Sequence, residues 1–242
     1  MSNKQTPVKS NPGDVAAARS DSKAIDAFVR QARALAPQGG SAGRLILALD
    51  ATMSRQPTWD LACEIQAHMF DAVAKAGGLQ VQLVYYRGLD ECRASRFVSD
   101  TNALKNLMTK IDCRGGYTQI RKVLAHALKE HATTKVNAVV FIGDAMEENV
   151  DDLAAKAGEL GLKGVPVFVF QEGNDPVATG AFKEIARLSR GAWFRFDSSA
   201  ADHLAKLLSA VAVYATGGLK ALAARGKPED QLMLEHLSGR KP

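Results

Sequence analysis

The chain has 242 residues, of which 46% are hydrophobic and 24% charged, and it carries a net charge of +5. That length suits one α/β domain with tails, and the apolar content is enough to build a core. A membrane-spanning helix is not expected, because no apolar run approaches the ~20 residues that it needs. The basic excess lies largely at the ends: residues 1–24 hold four basic and two acidic side chains, and residues 217–242 hold five and three. A nucleic-acid surface would instead show a dense Lys/Arg face interleaved with aromatics. Cys63, Cys92 and Cys113 are odd in number and widely spaced, which fits neither a disulfide framework nor a CxxC metal or redox site. The polar N-terminus lacks the apolar stretch of a secretory signal, so the expected compartment is the cytoplasm.

In chain order, residues 1–20 read as a flexible segment rich in Ser, Asn, Lys, Pro and Gly. Residues 21–43 read as a helix, capped by Asp21 or Ser22 and running to about Leu35, followed by a linker. A domain over 44–216 follows. Its first strand is Leu45–Leu49, and a helix then runs from Pro57 to Lys75, closed by AGG. Leu79–Tyr86 is a strand, and Arg93–Val98 a short edge strand returning beside it. Helices are expected over Asp100 to Ile111 and Thr118 to His131, separated by CRGGYT. The strand NAVVFIGDA, a helix over Asn149–Leu160, the strand VPVFVF and a helix over Pro176–Ser189 continue the alternation. AWFRF is the last strand and Ser199–Tyr214 the last helix, before a mobile tail over 217–242. Fully apolar strands alternating with amphipathic helices predict a three-layer, Rossmann-like, doubly wound α/β fold. Its sheet would be mainly parallel, with one antiparallel edge strand.

Open parallel sheets bind ligands at the carboxyl ends of their strands. Three loops at or beside such ends carry oxygen: Asp50-Ala-Thr52-Met-Ser54, Gly115-Gly116-Tyr117-Thr118 and Gly143-Asp144. Taken singly, each has an ordinary explanation. Thr52, Ser54 and Thr118 could cap helices, and Asp144 could cap the helix that follows it. Together they bring two carboxylates and three hydroxyls, all hard oxygen ligands, to one edge of the sheet. Mg²⁺ takes six oxygens in near-octahedral order, so such a set would leave a position for an outside ligand. Glu147, Glu148, Asp151 and Asp152 follow Asp144; they read either as an acidic first helical turn or as extra negative field for a cation.

The pattern D-x-T-x-S after the first strand, a Gly-Gly-x-Thr loop and an Asp ending the next buried strand resembles the von Willebrand factor A domain with its metal-ion-dependent adhesion site. The resemblance spans about Arg44–Tyr214. It implies Asp50, Thr52 and Ser54 as first-loop metal ligands, Thr118 as the second-loop ligand and Asp144 as the third-loop carboxylate. The implied cofactor is Mg²⁺ or Mn²⁺, and the implied partner is a protein offering Asp or Glu to the ion. Cytosolic bacterial members of this family work beside AAA-type ATPases or in multi-protein assemblies. Three departures stand out: Thr52 where Ser is commoner, Gly143-Asp144-Ala145 where Thr-Asp-Gly is commoner, and the bulky Tyr117 before Thr118. Losing the hydroxyl before Asp144 removes a supporting hydrogen bond, which predicts a weaker site. Tyr117 is the expected rim contact for a partner.

A phosphatase is the competing reading. Haloacid-dehalogenase-type phosphatases also end their first strand in a nucleophilic Asp, and Gly143–Asn149 has the outline of their acidic motif. Their general acid lies two residues beyond the nucleophile, where this chain has Thr52, which cannot serve. His126 and His131, five residues apart, cannot share a helix face as zinc ligands. The sequence thus points to an adaptor without catalysis, with a metal-free scaffold of the same fold as a further alternative.

Overall fold

The computed structural model describes residues 43–56 and 79–196, together with Val211 and Ala215. The expected helices over 21–35, 57–75 and 199–214 and the two tails lie outside these residues, apart from those two positions, which are helical and buried. The described elements in chain order are β1 (Gly43–Asp50), a 3₁₀ turn (Met53–Arg55), β2 (Leu79–Arg87), β3 (Glu91–Ala94) and α1 (Thr101–Met108). They continue with α2 (Ile120–Thr133), β4 (Ala138–Gly143), α3 (Val150–Leu162), β5 (Val167–Glu172), α4 (Pro176–Leu188) and β6 (Ala192–Phe196).

The six strands form one sheet in the order β3-β2-β1-β4-β5-β6, parallel throughout except for β3, which runs antiparallel to β2. The expected fold class is therefore the observed one. The edge strand begins earlier than the sequence suggested. Gly88, at φ +62, turns the chain so that Glu91 pairs with Arg87, and only an isolated bridge joins Val98 to Val81. A residue at positive φ is where glycine fits without steric cost.

Why these segments form buried strands is visible in their composition. In β4 and β5 every residue is buried, as expected of parallel strands covered on both faces. On one face Ile46, Ala48, Val84, Tyr86, Val139, Phe141, Val167 and Val169 pack against the apolar sides of α2, α3 and α4. Phe141 stands at the centre of this layer, stacked on Tyr86 at 6.3 Å and edge-on to Phe182 at 5.5 Å. On the other face Leu45, Leu47, Leu49, Val140, Ile142, Phe168 and Phe170 are also fully buried.

From β1 the chain goes first to β2 on one side, and β4 later joins on the other. The loops leaving β1 and β4 therefore diverge, opening a crevice at their carboxyl ends. This is the topological switch point of such a sheet, the position at which ligands bind in open α/β folds.

Candidate metal centre

The register Leu49↔Ile142 sets the end of β1 beside the end of β4, with Asp50 last in its strand. Asp50 is 0% exposed. Burying a carboxyl is expensive unless its oxygens are satisfied, and both are. Oδ1 accepts the Thr52 N–H at 2.8 Å, and Oδ2 accepts the Tyr86 hydroxyl at 2.9 Å. Burial pushes this carboxyl up to about 6; the neighbouring charge of Asp144 adds to the rise, and the bonds from Thr52 and Tyr86 hold it back. Burial and the same carboxylates drive the Tyr86 phenol well above its usual range, which keeps it a donor to Asp50.

Thr52 is the N-cap of the 3₁₀ turn, yet its hydroxyl makes no capping bond. Thr52 Oγ1 lies instead 3.0 Å from Ser54 Oγ. Thr52 therefore does not cap the turn it opens, and the helix expected from Pro57, which these hydroxyls could cap, lies outside the described residues. The loop is held from both sides: Ala51 N donates to Tyr86 O at 2.9 Å, and Arg114 N donates to Ala51 O at 3.0 Å.

Thr118 is buried, and α2 begins two residues later than expected, with Gln119 in the cap position and no side-chain cap bond. Thr118 does not cap the helix. Its hydroxyl accepts the Glu147 N–H at 3.2 Å, while its own N–H donates to Glu147 Oε2 at 2.9 Å. The loop before it rests directly on the β2–β3 turn. A Cβ on Gly116 would stand 1.9 Å from the Gly88 carbonyl oxygen, a closeness only glycine allows. Tyr117 N also donates to Gly88 O, at 3.3 Å, and the Tyr117 side chain is 63% exposed.

Asp144 follows β4. Its Oδ1 is buried and has no hydrogen-bond partner. The family pattern would set a threonine before it, but a Cβ at Gly143 would come within 2.8 Å of the Phe141 ring. The ring that fills the core and the missing hydroxyl belong together. Glu147 and Glu148 do not form the first turn of α3, whose N-cap is Asn149 and whose acidic first-turn residues are Asp151 and Asp152. Glu148 instead accepts the N–H groups of Ile120 and Arg121, so it caps α2 from a different loop.

The structure thus gathers Asp50, Thr52, Ser54 and Asp144 at the switch point and ties Thr118 to the Asp144 loop through Glu147. Among the described residues no three carboxylate, imidazole or thiol side chains converge, so an ion here would depend on hydroxyls beside two carboxylates. The donor set fits a hard cation: every donor is oxygen, and one buried carboxylate oxygen lacks a partner.

Two residues at this centre escape the sequence reading, and a third is read there for its charge alone. Tyr86 carries no signal beyond sitting at a strand end, and Glu147 reads as negative field or a first helical turn, not as a partner of Thr118. Arg55 is buried beside the crevice, donating to Ile142 O at 3.4 Å and pairing with Glu172 at 3.0 Å. That pairing is an ionic contact rather than a well-directed hydrogen bond.

No protein-family model matches the sequence, and no curated protein does. Solved structures do match in three dimensions. A von Willebrand factor type A protein from Catenulispora acidiphila superposes with a TM-score of 0.61 at 18% identity, over 74% of this chain. The chain spans only 43% of that protein's length. The SpRpn10 VWA domain gives 0.55 at 12% identity, over 69% of this chain and 94% of its own. Proximal thread matrix protein 1 from the mussel byssus, in a structure with a zinc-occupied MIDAS motif, gives 0.54 at 16% identity, over 70% of this chain and 46% of its own. Identities this low speak to architecture alone. The chain has the fold of the von Willebrand factor A domains.

Proposed function

We propose that the chain is a divalent-cation-dependent protein-binding domain that performs no chemistry of its own. The observation that carries this reading is Asp144 Oδ1, a buried carboxylate oxygen without a partner at the sheet's switch point. Leaving such an oxygen unpaired costs free energy, and a hard cation relieves that cost. Asp50, Thr52, Ser54, Thr118 and Asp144 would hold Mg²⁺ or Mn²⁺. Bound there, the ion supplies an open Lewis-acidic position suited to a carboxylate of a partner protein. The zinc-occupied motif of the mussel protein supports ion binding by this fold.

Met53 and Tyr117, on the loops that carry the proposed donors, have exposed side chains and would offer apolar and aromatic contact around a docked Asp or Glu. The family resemblance points to an AAA-type ATPase or a multi-protein assembly as the partner class. Against a phosphatase stand the engaged oxygens of Asp50, its complete burial, and Thr52 in the place of a general acid.

The test is capture of a partner by the full chain in Mg²⁺ and in EDTA, repeated with Thr118→Ala and with an excess of free acetate. Binding that needs the metal and Thr118, and that acetate weakens, supports the proposal. Equal capture in every arm overturns it. In parallel, hydrolysis of p-nitrophenyl phosphate that disappears in Asp50→Asn would restore the enzyme reading.

A further inference from the structure

Beside the five oxygen donors lies a contact that the donor set itself does not require. Glu147 and Thr118, 29 positions apart, hold each other through two hydrogen bonds running in opposite directions. The Glu147 carboxylate takes the Thr118 backbone N–H, and the Glu147 backbone N–H reaches the Thr118 hydroxyl. Next to it, the Glu148 carboxylate takes two backbone N–H groups of the first turn of α2. Gly115 and Gly116 precede this segment, and glycine leaves the backbone its widest choice of conformation. Something outside the loop has to fix where Thr118 stands. The helix cannot do so, since Gln119 makes no side-chain cap.

We infer that Glu147 is a positioning residue of the candidate metal centre, fixing Thr118 Oγ1 where it can join the Asp50 and Asp144 oxygens. The inference rests on the metal-dependent reading above. A threonine hydroxyl has one proton and two lone pairs. With one lone pair taken by the Glu147 N–H, the other is left for a cation. A neutral hydroxyl is a weak ligand, so what it contributes depends on being held in place before the ion arrives. Groups that orient metal ligands typically change affinity by roughly 10–100-fold when removed. Glu147 is not one of the five proposed donors; it acts through Thr118.

The experiment measures Mn²⁺ dissociation constants by titration calorimetry on the full chain for wild type, Glu147→Ala, Glu147→Gln, Thr118→Ala and the Glu147→Ala/Thr118→Ala double variant. Glu147→Ala is expected to weaken Mn²⁺ binding roughly 10–100-fold. Glu147→Gln, whose amide oxygen still accepts the Thr118 N–H, should recover most of it. The double variant should be no weaker than Thr118→Ala alone, because both changes remove one function.

A Glu147→Gln as weak as Glu147→Ala means the glutamate acts only by its charge, and the positioning role falls. Unchanged affinity in Glu147→Ala, or additive losses in the double variant, overturn it as well. A wild type that binds no Mn²⁺ removes the metal reading, and this inference with it. Independently of metal, hydrogen exchange at the Thr118 amide in EDTA should speed up in Glu147→Ala and not in Glu147→Gln; an unchanged rate shows that the carboxylate does not hold the loop.

Discussion

At the scale of single residues, Asp50 sets the character of the centre. Its carboxyl is held by two donors and still titrates at about 6, because complete burial outweighs both bonds. In the metal-free protein this has a definite sign. Unfolded, the group titrates near 3.8; between that value and about 6 the folded protein keeps a proton that the unfolded chain has released. This group's contribution to stability is therefore greatest below this window and is lost as pH rises through it, by about 3 kcal/mol at neutral pH for a shift of this size. In EDTA, urea unfolding from pH 4 to pH 7.5 should show that decline. Asp50→Asn should flatten it, raise metal-free stability at pH 7 by about 1–3 kcal/mol, and abolish the response to Mn²⁺. A wild-type profile with the same slope as that of Asp50→Asn would show that the carboxylate is not held as described.

At the scale of elements, the centre depends on how the loops lean on one another. The Thr118 loop has no apolar side chain buried between Arg114 and Tyr117; close backbone contact at Gly116 and Tyr117 seats it on the Gly88 turn. Gln119 Nε2 adds bonds to Arg87 O at 3.2 Å and Gly88 O at 3.3 Å, and Arg87 in turn is braced by Glu91 and Asp112. Gly116→Ala should push this loop off the end of β2, because its new Cβ meets backbone that cannot rotate away. The expected cost is about 1–3 kcal/mol in stability, with a matching loss of Mn²⁺ affinity. Gly115→Ala, where nothing lies within 4 Å of the added carbon, is the control and should be nearly silent. Equal behaviour of the two variants would argue against the seating described.

At the scale of the whole molecule, the sheet order makes the centre. With β1 and β4 adjacent and their onward connections diverging, the two carboxylates arrive together without any local sequence relation. An ion bound only by this folded arrangement stabilises it by mass action, about 2.7 kcal/mol at a hundredfold excess over Kd. For a domain of this size that corresponds to a rise in Tm of roughly 5–10 °C. Mg²⁺ and Mn²⁺ should both produce it in scanning calorimetry, and Asp144→Ala should lose it while keeping the metal-free Tm within a few degrees. The same rise in Asp144→Ala would remove the assignment of this crevice as the ion's site.

The order of strands and helices was legible in the chain itself, because apolar runs bounded by Gly and Pro and helical faces at 3.6-residue spacing are local patterns. AWFRF matches β6 residue for residue, and Pro176 opens α4 where its fixed φ suits the first turn. The proposed oxygen donors could be named from the sequence too, since strand ends are where side chains leave the core for a crevice. What hydrogen-bonds to them was not. Tyr86 reaches Asp50 across 36 positions and Glu147 reaches Thr118 across 29. Glu148 caps a helix that begins 28 residues before it. Such pairings leave no period in the sequence: they arise only once the sheet has chosen its neighbours and brought separate loops to one edge. The sequence alone determined which atoms could hold an ion. Only the tertiary structure decided which are satisfied, which are shared and which one, Asp144 Oδ1, is left without a partner, because hydrogen-bond saturation is a property of the assembled crevice and not of any segment that lines it.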